Sequence, residues 1–460
     1  MGVSPSFSLS RCLPGFASGF LVGSFGLVYL SVALAKSEGR ADVTAHVYGN
    51  NVPAIITYAL SIFLPVYLDS HDPDRAWRIS AAAVVWTGTI KLCSAPFANA
   101  FRRYIPLPAS MTVFGAAMYS YLALVVLQRI FDQPVVGIVA LAIVGITVFA
   151  NVPVTKLRLP PFLFAWLIPL SLGIALGYIH PAWQRISVVL PFVPSRGPLQ
   201  AMLLAVPYLS VIAPMGVYHV LQAITTVEGA SAAGDNYDAR SVVAWDAIGT
   251  LICGAAGSIV SPVIYALHPP YKVLGARISF AFWTPLILLF VVMTKLTPFF
   301  AALFPWPILA ALIAYVAVGV GRTTLARVDR KYLSVVLLGF VLPVGAVVAA
   351  VMNSALPALQ LSAASPDVQS TLNRSIYWAS VRGLGNGFLF LVLIVASVVT
   401  EAIDRRFGRA ALWCLIAAVF SWFGLMHSAV LGWKAQPMYA LGWLIAAAIV
   451  SSARFWRADA

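Results

Sequence analysis

The sequence predicts an all-α polytopic membrane protein: a 7+7 inverted-repeat core with two discontinuous half-helices, followed by about two extra C-terminal helices. Three observations support this fold class. The chain of 460 residues is 61% hydrophobic and 10% charged, whereas soluble domains carry about 25% charged residues. Apolar runs long enough to cross a bilayer follow one another along the chain, and two of them are interrupted by proline. Short motifs in the two halves recur at a nearly constant offset.

Apolar runs of roughly 17 to 25 residues divide the chain into two groups of seven segments and a final pair. The first group occupies residues 1–180, the second 199–400, and residues 401–460 hold the pair. The longest polar loop, about Asn353 to Asn373, is short, so no soluble domain is expected. The predicted helices are 14–36, 46–60, 76–98, 104–127, 133–152, 159–180, 199–228, 240–256, 274–296, 302–322, 332–353, 378–400, 409–427 and 435–454, and the interrupted pieces are 61–71 and 258–270.

Three pairs of short motifs point to an internal duplication. Their offsets are 197 (258−61), 204 (295−91) and 199 (305−106) residues, and coincidence among common apolar residues is the alternative explanation. With seven segments in each copy, the second copy enters the membrane in the opposite orientation, which is the inverted repeat of many secondary transporters. The pairs are Ser61–Val66 with Ser258–Val263, Lys91–Leu92 with Lys295–Leu296, and Pro106–Pro108 with Pro305–Pro307.

The net charge of +14 does not predict a nucleic-acid partner, because Lys and Arg occur singly or in pairs between apolar segments. That distribution fits the positive-inside rule. With the segments above, 17 basic residues fall on the side of the amino terminus and 11 on the other side. The sequence therefore predicts a multi-pass protein of the plasma (inner) membrane with both termini in the cytoplasm.

Four patches of sequence carry a resemblance to a known family: Pro106–Gly115, Phe162–Tyr178, Trp245–Ser258 and Phe304–Leu309. They are similar, in turn, to the fifth, seventh and ninth helices and the start of the twelfth helix of the xanthine/uracil permease family. These nucleobase–cation symporters are related to the nucleobase–ascorbate transporters. The resemblance covers about residues 50 to 400 by the order of elements. It implies a fourteen-helix transporter core in which helices three and ten are each half strand and half helix and cross at the substrate.

The chain departs from this family at two positions. Family members carry an acidic residue in helix eight that binds the base and helps to couple the proton, and the matching position here falls near His219. A slipped register would bring Glu228 there instead. The family has a second acid in helix ten, two places after a tyrosine, whereas here Tyr265 is followed by Ala266 and Leu267. The resemblance thus implies a divergent member without the two usual carboxylates.

The predicted substrate site lies around the interrupted pieces, because broken helices at membrane depth leave backbone groups that protein or ligand must satisfy. Helix amino termini there would offer N–H donors and partial positive charge to an anionic or acceptor-rich ligand. Pro65 and Pro262 are expected to mark the change from extended backbone to helix. The candidate substrate-binding residues are Tyr218, His219, Gln222, Tyr265, Leu267, Pro65, Val66, Ser261 and Pro262.

Each candidate side chain also has a structural interpretation. Tyr265 can stack on or hydrogen-bond a planar ring, or simply pack at an interface. His219 can bind a substrate oxygen or carry a proton, or be a hydrogen-bonded structural histidine. Gln222 shares its helical face with His219 and can bind a base edge or another helix. The candidates for ion coupling are His219, Glu228 and Asp246, although such carboxylates are also common at helix ends.

The predicted function is secondary active transport of a small polar solute by alternating access. A nucleobase or related heterocycle is the leading substrate, and a small anion is the alternative because the site lacks carboxylates. An integral membrane enzyme is the competing class, but six histidines spread singly make no catalytic cluster. The expected partners are the solute and the lipid bilayer, with a homodimer as a further option. No cofactor or metal is expected, and the coupling ion is H⁺ or Na⁺.

Overall fold

The chain is helical along most of its length, as its composition predicts. The computed structural model describes residues 7, 10–150, 161–180, 196–265, 268–359, 361 and 365–455. Among these residues, seven helices are long and apolar enough to cross a membrane, or nine if each of two sharply bent pairs forms one span. The protein is therefore a multi-pass membrane protein.

The first half contains α1 (Leu13–Glu38), β1 (Tyr48–Asn50), α2 (Val52–Tyr58), α3 (Leu64–Ser70), α4 (Pro73–Ser94), α5 (Ala98–Tyr104), α6 (Leu107–Gly115), α7 (Ala123–Leu127), α8 (Pro134–Val144) and α9 (Pro161–Ala175). The second half begins with α10 (Arg196–Gln200), α11 (Leu209–Ala232), α12 (Ala239–Ala255), β2 (Pro262–Ile264), α13 (His268–Val273), α14 (Ile278–Met293) and α15 (Thr297–Leu303). It continues with α16 (Trp306–Arg327), α17 (Leu333–Val341), α18 (Val344–Ala358), α19 (Pro366–Ile376), α20 (Trp378–Gly385), α21 (Phe388–Ile403), α22 (Phe407–Phe423) and α23 (Pro437–Ser452).

Local sequence signals explain where several of these helices begin. Asp72 and Asp238 cap α4 and α12 by accepting hydrogen bonds from the backbone N–H groups of Asp74 (2.9 Å) and Ser241 (3.0 Å). Pro106 and Pro305 are the N-cap residues of α6 and α16, and each is followed by proline in the first turn. Proline is favoured there because its missing N–H would have no helical acceptor.

Two short strands cross in antiparallel orientation at the centre of the molecule. Their register pairs Tyr48 with Ile264, Gly49 with Val263 and Asn50 with Pro262. The pairing extends beyond the strands, because the N–H of Asn51 donates to the carbonyl of Ser261 (3.0 Å). Each strand is followed by a helix, so the two half-strand, half-helix elements of the expected fold are present.

The first strand lies earlier in the chain than the sequence predicts. A helix was expected at 46–60 and a break at 61–71, but one helical span runs from Val52 to Ser70 without a break. Pro65 is tolerated inside it because a π-helical turn, Ala59–Phe63, precedes it and absorbs the change in hydrogen-bond register. The partner of β2 is therefore Tyr48–Asn50, and the proposed match of Ser61–Val66 to Ser258–Val263 is wrong.

This shift changes which loops share a side of the membrane. Arg11, before α1, pairs with Asp74 at the start of α4 (3.7 Å). Arg40, after α1, pairs with Asp235 (3.0 Å), and Asp235 also binds Lys272 (2.6 Å). The count of 17 and 11 basic residues rests on a segment order that puts Arg11 on the same side as Lys272 and Arg40 on the opposite side. That assignment is wrong because it treats 46–60 and 61–71 as two segments where the structure has one.

Glycines bring α1, α12 and α4 into backbone contact around the strands. A Cβ on Gly249 would stand 2.9 Å from the Cα of Gly23, and a Cβ on Gly254 would stand 2.6 Å from the backbone nitrogen of Val85. Small residues allow such close approach between helices in a membrane, where dispersion contacts replace the hydrophobic effect as the driving force. The sequence spacing of Gly19, Gly23 and Gly26 indicates this packing face.

The two helices after residue 400 pack onto the end of the core. Phe420 of α22 contacts Phe390 of α21, with ring centroids 4.8 Å apart. His427 joins α23 to α20, because it hydrogen-bonds the carbonyl of Gly383 (2.7 Å) and accepts a hydrogen bond from the Trp443 indole (3.2 Å). Both ring nitrogens are thus occupied, which makes this histidine structural.

Candidate functional site

The amino terminus of α2 lies directly after the strand crossing. Asn51 caps it, since its side-chain oxygen accepts from the N–H of Ala54 (2.8 Å) and its carbonyl accepts from Ile55 (3.0 Å). Pro53 has no N–H, so Val52 carries the remaining donor of this first turn, and that N–H has no acceptor among the described residues. The helix continues to Ser70, so its dipole places partial positive charge at this point.

A cavity of ≈ 290 Å³ lies in front of this helix terminus. One wall comes from the strand crossing and α11, and the other from α6, its helical continuation and α16. The polar lining residues of the described chain are Asn50, Asn51, Gln222 and Tyr265, and none of the lining residues is charged. The apolar lining residues are Val52, Pro53, Phe114, Met118, Leu122, Leu309, Ile313, Val316 and Val320.

Two of the predicted substrate-binding residues, Gln222 and Tyr265, line this cavity. The Gln222 amide donates to the carbonyl of Ile264 (3.0 Å), while its oxygen has no hydrogen-bond partner among the described residues. The Tyr265 hydroxyl donates to the carbonyl of Asn50 and lies 3.1 Å from the Asn50 side-chain oxygen. Both side chains are therefore anchored to the strands and present further polar atoms or a ring face to the cavity.

Tyr218 and His219 lie behind the cavity instead of lining it. Both are buried in α11, and their rings are tilted against each other with centroids 5.7 Å apart. The Tyr218 hydroxyl and both His219 nitrogens have no hydrogen-bond partner among the described residues. The roles predicted for these two residues stay predictions.

Ser261 precedes β2 and Pro262 begins it, so Pro262 starts the strand and does not mark the expected change from extended backbone to helix. Their carbonyl oxygens accept hydrogen bonds from the N–H of Asn51 (3.0 Å) and the ammonium of Lys91 (3.2 Å). Pro65 and Val66 lie in the helix that starts at Val52, about 20 Å along its axis at 1.5 Å per residue. They are therefore distant from the cavity, because the strand that was expected near them lies at Tyr48–Asn50.

Leu267, the remaining predicted substrate-binding residue, lies outside the described residues. Glu228, a coupling candidate, forms an ion pair with Arg102 (2.8 Å) in which the Arg102 side chain is 56% exposed. That pair lies near the end of α11, and Glu228 does not line the cavity of Gln222 and Tyr265.

Asp246, another coupling candidate, forms a fully buried ion pair. Its carboxylate lies 2.7 Å from the ammonium of Lys91, and both side chains have no exposed surface. Lys91 also donates to the hydroxyl of Thr250 (2.7 Å). The sequence indicated Lys91 only as a charge inside an apolar segment, and nothing in its local pattern identified a partner 155 residues away.

A second buried cluster ties the loops on one side of the strand crossing to α13. Asp235 accepts hydrogen bonds from Lys272 (2.6 Å), His268 (2.9 Å), Arg40 (3.0 Å) and the backbone N–H of Thr44 (3.2 Å). Burial by itself would raise the pKa of Asp235, but the hydrogen bonds from Lys272, His268 and Thr44 outweigh it and lower the pKa below its ordinary value. Asp235 thus holds three segments of the chain in place as a carboxylate.

Two buried histidines, His46 and His268, lie in or beside this cluster. Burial lowers the pKa of His46 to about 3, with a further contribution from the neighbouring His268, whose ring centroid is 5.0 Å away. Burial also lowers the pKa of His268, although its hydrogen bond to Asp235 acts in the opposite direction. Burial therefore favours the neutral form of both imidazoles.

Replacing Asp235 by asparagine is expected to lower the free energy of unfolding by about 2 kcal/mol at pH 7, because hydrogen bonds to a charged group contribute about 1.5–3 kcal/mol. Since the folded-state pKa of Asp235 is lowered, its contribution is present above the unfolded pKa of about 3.9 and is lost as pH falls through the folded pKa. The midpoint temperature of thermal unfolding, measured in detergent from pH 7 down to pH 3, should therefore fall less steeply in D235N than in the unmodified protein. The matched control is D132N, which removes an exposed carboxylate paired with Arg129; equal pH dependence in D235N and the unmodified protein would contradict this assignment.

A smaller cavity of ≈ 60 Å³ lies farther along the helix that starts at Val52, toward Ser61. It is lined by Thr57, Ser61, Tyr121 and residues of α11, α18 and α21. The Tyr121 hydroxyl lies 3.4 Å from the Thr57 hydroxyl, and its ring stacks on Phe388 at 5.1 Å. The small cavity and the larger one share no lining residue.

Sequence reasoning missed Asn50 and Asn51, the polar residues nearest to the helix terminus. Asn followed by proline two residues later is an N-cap signal, and Asn51-Val-Pro53 has that pattern. The apolar wall supplied by α6 and α16 carries no such signal, because its residues are ordinary members of spanning helices.

Comparisons with known proteins give a limited result. No family model matches the sequence, and no curated protein matches it either. Among solved structures, the chain is similar to the transmembrane domain of a cyanobacterium bicarbonate transporter BicA. The TM-score is 0.44 at 15% sequence identity, and the alignment covers 74% of this chain and 94% of that chain. Membership of the xanthine/uracil permease family stays a prediction.

Proposed function

We propose that the protein is a secondary active transporter that carries a small polar solute across the membrane by alternating access. The observation that carries the proposal is the cavity of Gln222 and Tyr265, which lies where two broken segments cross at membrane depth. Discontinuous helices are retained inside a bilayer where their free backbone groups line a binding cavity. The cavity also lies between two groups of helices, as movement of one group against the other requires.

A small anion is the substrate class that the electrostatics favour. Asn51, Val52 and Pro53, at the amino-terminal end of a helix, line the cavity, and such an end attracts negative charge. No acidic side chain among the described lining residues opposes an anion. These neutral donors would bind an anion without a permanent counter-charge, so release to either side would remain easy.

A nucleobase or similar uncharged heterocycle is the second candidate. The Tyr265 ring and the apolar wall suit a planar ring, and the amides of Asn50 and Gln222 offer both donors and acceptors to a base edge. The same cavity can thus serve two ligand classes, which differ in charge and in their need for an aromatic partner.

The face that carries Arg40, Lys272 and Arg102 is proposed to be the cytoplasmic one, in the inner membrane. This proposal places Arg11, before α1, on the opposite face, and so departs from the expectation of a cytoplasmic amino terminus. Arg40 and Lys272 meet at Asp235, and Arg102 binds Glu228 near the same end of α11. Basic loops are retained on the cytoplasmic side during insertion.

The experiment that tests the function is a thermal-shift screen of the purified protein followed by uptake into proteoliposomes. The ligands are nucleobases, small anions (bicarbonate, nitrate, sulfate) and short carboxylates, each at two pH values. Stabilisation and uptake of an anion would support the first candidate, and stabilisation by a planar base alone would support the second. A protein that neither binds nor moves any of these solutes would contradict the proposal.

Replacing Gln222 by leucine is expected to weaken binding of the stabilising ligand about tenfold, since the loss of one polar contact in a buried site costs about 1–2 kcal/mol. The measurement is the ligand concentration that gives half-maximal thermal shift. Gln200→Leu, at an exposed position of α10, is the matched control and should leave this concentration unchanged. Equal affinities in both variants would remove Gln222 from the site.

A further inference from the structure

The ammonium group of Lys91 lies in a cage of three oxygen atoms. They are a carboxylate oxygen of Asp246 (2.7 Å), the hydroxyl of Thr250 (2.7 Å) and the backbone carbonyl of Pro262 (3.2 Å). Transporters with broken helices use carbonyls from unwound backbone to coordinate Na⁺, and carboxylate and carbonyl oxygens suit hard cations in general. The donor set around Lys91 is therefore that of a small-cation site.

Two of the three oxygen atoms, the Thr250 hydroxyl and the Pro262 carbonyl, are held in place by contacts that do not involve Lys91. Asp246 and Thr250 lie four residues apart on α12, so they share one helical face. The Thr250 hydroxyl donates its proton to the backbone carbonyl of Asp246 (2.8 Å), so the lone pairs of the hydroxyl oxygen remain available to a cation. The Tyr48 hydroxyl donates to the same backbone carbonyl (3.2 Å). The carbonyl of Pro262 is oriented by the strand pairing with Asn50. Removal of the lysine would therefore leave the Thr250 hydroxyl and the Pro262 carbonyl in place and free the Asp246 carboxylate to bind another cation.

The cage is also linked to the substrate cavity. Pro262 pairs with Asn50 across the strands, and Asn50 lines the cavity. A cation in the cage thus contacts β2 at Pro262, whereas a solute in the cavity contacts β1 at Asn50. One oxygen of Asp246 has no hydrogen-bond partner among the described residues and is buried, so the cage has a free ligand for an ion that demands more contacts than an ammonium.

We propose that this cage is a Na⁺-type site that the Lys91 ammonium occupies permanently, so that the protein carries its own cation there. One consequence is that transport does not require Na⁺ at this position, and only this consequence rests on the proposed transport function. The site itself is a property of the folded chain, and its occupancy can be measured without a substrate.

The test is the thermal stability of Lys91→Ala in NaCl, LiCl, KCl and choline chloride at equal ionic strength, beside the unmodified protein. The unmodified protein should unfold at the same temperature in all four salts. In choline chloride, K91A should unfold at a lower temperature than the unmodified protein. In saturating NaCl, the unfolding temperature of K91A should rise by at least about 3 °C, as expected for an ion that binds only the folded state. The double variant K91A/D246N should not respond to Na⁺, because the charged ligand of the cage is missing.

A Na⁺-specific rise in the unmodified protein would overturn the proposal, because the cage would then not be filled by Lys91. A folded K91A without any Na⁺-specific rise would overturn it as well. Lys91→Ser, which also removes the ammonium, is the second variant and is judged by the same two outcomes. If neither variant can be recovered folded in NaCl, the proposal also fails, since it requires Na⁺ to replace the ammonium. A negative ligand screen would contradict the transport function and leave this result untouched.

Discussion

Replacing Asp246 by alanine is expected to lower the free energy of unfolding by about 3–5 kcal/mol, which is the usual cost of removing one partner of a buried ion pair. The substitution leaves the Lys91 ammonium buried without its counter-charge, with only the Thr250 hydroxyl and the Pro262 carbonyl as partners. Neither side chain has exposed surface, so the unpaired ammonium stays out of contact with bulk water. The measurement is equilibrium unfolding of the detergent-solubilised protein, followed by the loss of helical signal.

Two controls separate charge from packing in this experiment. Asp132→Ala breaks an exposed pair with Arg129 (3.0 Å) and is expected to cost less than about 1 kcal/mol. The double variant Lys91→Met/Asp246→Leu removes both charges and keeps apolar volume, so it should recover most of the stability lost in D246A. A double variant as unstable as D246A would mean that shape, and not the unpaired charge, determines the loss.

Replacing Gly19 by valine is expected to lower the free energy of unfolding by about 3 kcal/mol, at the upper end of the usual cost of overpacking a core. A Cβ at Gly19 would stand 2.5 Å from the backbone nitrogen of Cys253 and closer still to the carbonyl oxygen of Gly249. Both obstacles are backbone atoms of α12, so no rotamer change can relieve the clash and α1 must move away. Because α12 carries Asp246, the displacement should also loosen the ion pair with Lys91.

The matched control for this substitution is Gly319→Val in α16. A Cβ at Gly319 meets nothing within 4 Å, so the variant should stay within about 1 kcal/mol of the unmodified protein. Both variants are compared by equilibrium unfolding under the same conditions. Equal stabilities of G19V and G319V would show that the contact of α1 with α12 does not depend on the small residue.

The positions of the spanning helices along the chain could be predicted from the sequence because they depend on local composition. A run of about twenty apolar residues must form a helix in a bilayer, since no water is available to satisfy its backbone groups. The start of α6 after Pro106 and of α16 after Pro305 follows from the same local rules. The close packing of α1 could be predicted too, because the spacing of Gly19, Gly23 and Gly26 is visible in the chain.

The first strand was misplaced for a physical reason. A strand of three residues, Tyr48–Asn50, has too few side chains to show alternation, and it is stabilised by pairing with Pro262–Ile264, more than two hundred residues away. Proline at position 65 looked like the break because proline usually interrupts helices. The π-helical turn of Ala59–Phe63 that accommodates it has no sequence signal of its own.

The sequence by itself determined the membrane location, the helical segments and the presence of broken elements, because these depend on hydrophobicity and on the backbone chemistry of proline and asparagine. Only the tertiary structure decided which strand crosses β2, that Gln222 and Tyr265 line one cavity, and that Lys91 meets Asp246. Those contacts join residues that are far apart in the chain, and their geometry follows from helix packing that no local pattern encodes. A single buried charge in an apolar segment indicates that a partner must exist, but the fold alone identifies it.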